Sequence, residues 1–425
     1  MVERLMAETT ATIDLSRWIQ PGDTVWWNQC TAEPLTLTET LVAQRQTIGR
    51  ISVFVGPTYT PTLQSEHSDY FDMLSYCGIG ENRRLIAAGV LEVIPSHCSQ
   101  MHGLIEDGAI PVDVVFLHLS PEGPNGQRSL GIANDYLVAA AKRARVVIAE
   151  VNQQMPWTYT SDELAGLRID AFVHSDRALV ELHPGRVQDT EEKIAQHASA
   201  FIHDRSVLEM GVGVIPEAIL QSLKDRRDLG IHTGMLGDVG ADLVQCGAVT
   251  NAFKNLDRGL TTVGVLMGTR RLYEYAHNNR QLNLRPYSHT HAVSVIAQLD
   301  NFVAVNSAVE VDLTGQVNAE IVNGQYVGAT GGQVDFTRGA QLSKNGRSIV
   351  ALPSATKNSQ QSRIVAHIAS GNVTSLRTDA DVIVTEWGAA QLKGQTLKER
   401  MRRMIAIAHP SHRENLERQA FEVQD

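Results

Sequence analysis

The residues best placed by type and spacing to do chemistry lie between Gly211 and Asp238. Gly211-Val212-Gly213-Val214-Ile215 follows a strand-like run, Ser206 to Met210, and Pro216-Glu217-Ala218 reads as the opening of a helix. Glycine tolerates positive φ and lets backbone amides approach a ligand closely, while proline suits the first helical turn. A strand, loop and helix joined in this way can present N–H groups and the positive end of a helix dipole to an anion or a developing oxyanion. Two glycines in such a turn are also what any tight connection requires, so the pattern alone is a weak signal. Ile231-His232-Thr233-Gly234-Met235 comes next, and His232 and Asp238 are candidate bases.

Other polar residues have both a chemical and a structural reading. Glu150 sits near the end of the apolar run Val146 to Val151, where active-site groups of α/β proteins often lie, and where capping a neighbouring helix is the alternative. Glu310 and Asp312 flank Val311 and so share one face of a strand, as an acid/base pair or as structural carboxylates. Lys357 offers a point charge to a phosphate or stands as a solvated lysine in a loop. Trp26, Trp27, Gln29 and Tyr59 either line a ligand pocket or belong to a core or interface. His97, His102 and His118 lack ligand spacing, and His289 and His291 merely alternate with Thr290, so no metal is expected.

Positioning these groups requires an α/β framework. Ile51 to Val55, Val112 to Leu117 and Val146 to Val151 are short β-branched runs that read as buried strands, with helices predicted at Leu35 to Gln44 and Asn134 to Ala144 between them. That alternation argues for parallel sheets covered by helices. Further strands are expected at Thr262 to Met267, Phe302 to Asn306, Ser348 to Leu352 and Val382 to Thr385, with helices at Glu192 to Ile202 and Leu397 to Ile407. The charged stretch Leu182 to Lys193, with His183-Pro184-Gly185, is the candidate linker, giving domains 1–190 and 191–425.

A chain of 425 residues suggests two or three domains, and 43% hydrophobic with 20% charged residues is ordinary globular composition. The formal charge of -10 argues against non-specific nucleic-acid binding, which needs clustered Lys and Arg. Four dispersed cysteines indicate neither a disulfide framework nor a zinc site. The stretch Met1 to Ser16 carries Glu3, Glu8 and Asp14 without an apolar run, and no segment is apolar enough to span a bilayer. A cytoplasmic protein with no membrane partner is the expectation.

Several longer segments occur in a telling order: Gly131-Ile132-Ala133-Asn134-Asp135-Tyr136, Glu150-Val151-Asn152, the glycine loop, and Leu229-Gly230-Ile231-His232-Thr233. Asn306-Ser307-Ala308, Asp312-Leu313-Thr314-Gly315-Gln316, Gly331-Gly332-Gln333-Val334-Asp335-Phe336 and Pro353-Ser354-Ala355-Thr356-Lys357 follow, then Val384-Thr385-Glu386-Trp387-Gly388. Together they resemble family I CoA transferases of the acetyl-CoA hydrolase/transferase and 4-hydroxybutyrate CoA-transferase type.

The resemblance implies two CoA-transferase-like α/β domains with mixed, largely parallel sheets flanked by helices, and a CoA site carried by the second. It implies that Gly211, Val212, Gly213, Val214 and Ile215 form the loop beside the acyl-thioester, and that Ala308, Gly332 and Lys357 lie along coenzyme A. Its substrates would be an acyl-CoA and a small carboxylic acid, with no metal, in a homodimer or higher homo-oligomer. In the family the residue after His-Thr or His-Ser is the glutamate that carries CoA as a covalent thioester. Gly234 stands there, so three readings stay open: CoA transfer by another route, hydrolysis of acyl-CoA by an activated water based on His232, Asp238 or Glu150, and binding without turnover.

Overall fold

The computed structural model describes residues 8–9, 13–124, 126–160 and 164–422. Much of the amino-terminal stretch read above against a secretory signal lies outside the described residues. The chain forms two compact units, one of residues 1–183 with 262–289, the other of residues 184–261 with 290–425. The first change of unit falls at His183 and Pro184, within the expected linker. Thr262–His289, however, belongs to the first unit, so the units are not the contiguous blocks 1–190 and 191–425.

Backbone hydrogen bonds explain that return. Asn134 N donates to Gly264 O, Leu266 N to Ile132 O and Leu284 N to Tyr159 O, all inside the first unit. The strand Thr261–Leu266 is as apolar as its neighbours in sequence, and nothing in its composition announces which unit it joins.

In the first unit an eight-stranded sheet runs in the order Glu8–Thr9, Ala171–Ser175, Val146–Asn152, Val114–Leu119, Thr24–Trp27, Ile51–Val55, Phe71–Ser75, Leu91–Val93. Every neighbouring pair in it is parallel. Its central strands are buried along their whole length, which fits their β-branched, non-alternating sequences. Leu37 and Leu41 of helix Leu35–Ile48 join the apolar core beneath it. The expected helix at Asn134 to Ala144 begins only at Leu137, because Asp135 turns its carboxylate onto Leu137 N at 2.7 Å.

Trp26 lies in the interior of this unit, stacked on Phe54 with ring centroids 3.8 Å apart, its indole N–H donated to Pro111 O. Trp27 joins the apolar core, and the Gln29 amide is held between the hydroxyls of Tyr76 and Tyr287 at 2.7 and 2.8 Å. Of the four candidates for a ligand pocket, three are therefore internal packing; Tyr59 is half-buried.

In the second unit the main sheet runs Gly230–Leu236, Val207–Met210, Phe302–Ser307, Arg347–Ala351, Val382–Thr385, Gly388–Gln391. These strands are parallel except for the last pair. A smaller sheet pairs Glu310–Asp312 with Val317–Asn318 and Ile364–Val365. There Asp312 accepts from Thr314 N, Thr314 Oγ1, Gln316 N and Gln316 Nε2, organising a turn, while Glu310 accepts from Asn318. The two carboxylates work as structural acceptors rather than as a facing pair. Helix Leu397–Ile407 falls where the sequence placed it, and a further helix, Pro410–Glu422, follows it.

Candidate functional site

Strand alternation in the second unit sorts its polar residues onto two faces. Gly230 pairs in parallel with Val207, and Glu209 with Ala304, so His232, Gly234, Glu209, Gly211, Phe302 and Asn306 share one face near the carboxyl ends of their strands. In open parallel sheets that is the edge where ligands bind. Thr233 and Met235 face the other way, toward helices Val214–Gln221 and Asp238–Gln245, and line a cavity of about 20 Å³ with Met210 and Glu217. A space of that size holds at most one water.

The glycine loop is built as its sequence suggests. Gly211 N donates to Val305 O at 2.8 Å, and an ideal Cβ on Gly211 would come to 3.0 Å from Asn306 Oδ1. Gly213, at φ 126° and ψ 174°, occupies backbone space that essentially only glycine enters, and it caps helix Val214–Gln221. That helix starts two residues before Pro216. Val212 is exposed at the loop's tip, Val214 is half-buried, and Ile215 is buried against the sheet.

Gly234 is the centre of the arrangement. It is half-buried, and an ideal Cβ there would lie 2.7 Å from both Cε1 and Nε2 of His291. The same imidazole would be 2.6–2.7 Å from a Cβ on Gly332, the residue before helix Gln333–Leu342. His291 therefore fills the volume that side chains at 234 and 332 would need, its ring 4.6 Å from that of Phe336. Non-bonded carbon and nitrogen atoms do not approach to 2.7 Å, so a side chain at either position requires this ring to shift.

Thr290 ties this imidazole to the strand below. His232 Nε2 lies 3.0 Å from Thr290 O and, since a carbonyl only accepts, donates to it; Thr290 Oγ1 is 2.9 Å from His291 Nδ1. Burial drives the His291 pKa down to about 3, so the ring is neutral at physiological pH. Beneath Asn306, whose Nδ2 donates to its Oε2 at 2.9 Å, Glu209 is fully buried, and desolvation raises its pKa to about 8.

The remaining residues singled out by sequence are placed as follows. Asp238 is buried at the start of helix Asp238–Gln245. Ala308 is half-buried against the core around Val311 and Leu352, Gly332 is beside His291, and Lys357 is exposed in a loop. Glu150 belongs to the first unit, where its carboxylate accepts from Thr36 N, Thr36 Oγ1, Leu37 N and Ser175 Oγ. It thus caps the amino end of helix Leu35–Ile48. Glu150→Gln, which turns an amide N–H₂ toward these donors, is expected to lower unfolding free energy by roughly 2 kcal/mol, measured as a fall in the urea midpoint.

A hollow of about 620 Å³ lies in the first unit, lined by Pro121, Gln153, Met155, Trp157, Arg270 and His277 among others. Arg270, its arginine, is paired with Glu274 at 2.7 Å, and Glu122 and Glu181 also line it, which does not suit a polyanionic ligand.

His291 and Glu209 are the groups that sequence reading missed. The only signal for His291 is its alternation with His289, and for Glu209 its place just before the glycine loop, inside an apolar strand.

A parallel α/β sheet ending in a glycine loop, with small residues and an imidazole at its carboxyl edge, defines a protein of the CoA-transferase fold class. Residues 8–182 match the acetyl-CoA hydrolase/transferase N-terminal domain and residues 268–420 its C-terminal domain, and the chain belongs to this family. It is 39% identical over 338 residues to the 4-hydroxybutyrate coenzyme A transferase of Clostridium kluyveri, covering 79% of each chain. Among solved structures it resembles RipA from Yersinia pestis, with TM-score 0.90 and 34% identity over 96% of each chain. It also resembles 4-hydroxybutyrate CoA-transferase from Porphyromonas gingivalis, with TM-score 0.80 and 30% identity over 96% of each chain. Among the described residues no helix is long and apolar enough to cross a membrane.

Proposed function

We propose that this protein cleaves a small acyl-CoA thioester by hydrolysis and does so without a carboxylate–CoA thioester at residue 234. One observation carries the reading: the place where a side chain at 234 would project is taken by the His291 imidazole. Glycine supplies no nucleophile. Oxyanion stabilisation from backbone donors of the Gly211–Ile215 loop remains available to a water that attacks the thioester carbon. Gly332, Ala308 and Lys357 are the proposed contacts to coenzyme A, with Lys357 as a mobile charge for a phosphate. No metal is needed for this route. The family resemblance extends the proposal to a homo-oligomer acting in the cytoplasm.

A second reading, direct attack by an acceptor carboxylate with CoA transfer as the result, is favoured by the 39% identity to a CoA transferase. One assay separates the two. Butyryl-CoA is incubated with the protein, with and without acetate, and the CoA species are resolved by liquid chromatography. Hydrolysis predicts free CoA and butyrate at a rate indifferent to acetate. Acetyl-CoA formed in proportion to acetate would instead establish transfer, and unchanged acetyl-, propionyl- and butyryl-CoA would remove turnover from the account altogether.

A further inference from the structure

At the turn between strands Val382–Thr385 and Gly388–Gln391, Trp387 leaves 45% of its surface to solvent, and basic side chains gather around it. The His409 ring meets the indole edge-on with centroids 5.6 Å apart, and the Arg413 guanidinium lies 5.9 Å from the indole centroid. Arg413 Nε donates to Ala408 O at 2.9 Å, which fixes the guanidinium beside the ring. His412 Nε2 donates to Ser359 O at 2.9 Å, so the loop that carries the exposed Lys357 is tied to the start of helix Pro410–Glu422. The acidic neighbour of Trp387 in sequence, Glu386, is turned away onto Ser354 N and Oγ at 2.9 and 2.6 Å. An accessible aromatic surface with cations at its margin suits a base and a phosphate, unlike the glutamate-lined hollow of the first unit.

The carboxyl edge of the main sheet sets the distance from this cluster to Gly234. Along it stand the strand of Gly234, then Val207–Met210, Phe302–Ser307 leading to Ala308, Arg347–Ala351 leading to the Lys357 loop, and Val382–Thr385 leading to Trp387. Thr385 Oγ1 donates to Ile407 O at 2.6 Å, which brings the end of helix Leu397–Ile407, and with it His409, to the same edge. Four inter-strand steps of roughly 4.8 Å separate the first strand from the last, about 19 Å in all. That is the reach of an extended coenzyme A from its sulfur to its adenine. We infer that Trp387 and Arg413 form the subsite for the adenosine 3′-phosphate of coenzyme A, the adenine stacking on the indole and the 3′-phosphate meeting the guanidinium. The inference rests on the acyl-CoA reading above, with the thioester at Gly234, and fixes where the far end of that ligand lies. Base–aromatic stacking supplies affinity whatever the acyl group, and the arginine fork suits a phosphate dianion. Lys357, between the two ends, meets the pyrophosphate as a point charge.

The test uses the full-length protein with CoA, 3′-dephospho-CoA and pantetheine 4′-phosphate as ligands. Binding is read by calorimetry and tryptophan fluorescence, and folding by thermal melting. Trp387→Leu is expected to weaken CoA roughly 5- to 100-fold and to leave pantetheine 4′-phosphate, which lacks the base, within about threefold of the parent. With butyryl-CoA the same variant should raise KM and keep kcat within about threefold. Trp387→Phe, which retains an aromatic face, should hold CoA within about fivefold and lose the fluorescence quenching that CoA produces in the parent. Arg413→Gln is expected to weaken CoA about tenfold and 3′-dephospho-CoA hardly at all. Undiminished CoA affinity in a folded Trp387→Leu variant would overturn the assignment, as would an Arg413→Gln loss equally large for 3′-dephospho-CoA. A parent that binds CoA in this way and hydrolyses no acyl-CoA refutes hydrolysis and leaves the subsite standing, whereas a parent that binds neither CoA nor its fragments refutes both.

Discussion

Gly234→Glu combined with His291→Gly is expected to create acetate-dependent CoA transfer from butyryl-CoA, whereas Gly234→Glu alone is not. A Cβ at 234 meets His291 Cε1 and Nε2 at 2.7 Å and Phe336 at 3.6 Å. The ring is buried, with Phe336 on one side. The single variant therefore overpacks a filled site and is expected to lose about 1–3 kcal/mol of stability without gaining transfer. Removing the imidazole frees the volume into which the glutamate can extend. Its carboxylate can then attack the thioester carbon and expel CoA thiolate as a butyryl–glutamyl mixed anhydride forms; CoA next attacks the glutamyl carbonyl, butyrate leaves, and the resulting enzyme thioester passes CoA to acetate. Expected is at least a ~10²-fold gain in acetyl-CoA formation over the parent, in line with what covalent catalysis contributes. Transfer by the single variant at unaltered stability would mean that the imidazole moves aside freely, and the filled-site argument would have to be dropped.

Glu209→Gln is expected to stabilise the protein most above pH 8 and hardly at all near pH 4. Burial raises the folded-state pKa of this carboxyl to about 8 from an ordinary 4.5, and the Asn306 amide offsets that only in part. Between those values the folded chain holds a proton that the unfolded chain releases, so rising pH favours unfolding. The stabilising protonated form is fully present below pH 4.5, and its advantage is lost as pH climbs to about 8, by a total on the order of 5 kcal/mol. Glutamine has the shape of the protonated acid and does not ionise. Urea unfolding of parent and variant at pH 5, 7 and 9 should show curves that diverge steadily as pH rises; parallel curves would mean that Glu209 is solvated or paired in its charged form.

Much of the framework was legible because buried parallel strands carry their own signature. Ile51–Val55, Val382–Thr385 and the helix Leu397–Ile407 match their expected bounds, being runs whose apolar content leaves one reading. Strands Phe71–Ser75 and Gly230–Leu236 were not assigned. The first contains an exposed aspartate, and the second holds two glycines, which usually mark turns but here admit Lys254 and His291 at close range. The site was half legible for a related reason. Gly234 and the 211–215 loop are visible as local pattern, whereas the ring that fills the gap comes from a segment of short helices more than fifty residues later. Residue types report what a position lacks; only three-dimensional packing reports what has moved into the space. Glu150 shows the converse, since its position at a strand end is equally suited to catalysis and to the helix capping it performs.

The passage of Thr262–His289 into the first unit and back sets an order on biosynthesis. A ribosome that has released residues 1–183 has not yet supplied the segment whose amides close on Ile132 and Tyr159, nor the tyrosine that Gln29 grips. The sheet of this unit is complete by Ser175, but full packing of the unit must wait until roughly two-thirds of the message has been read, after more than seventy residues of the other unit have emerged. A gene fragment ending at codon 190 should yield an incomplete, aggregation-prone product, and supplying the 262–289 strand–helix–strand in cis through a short linker should rescue its solubility.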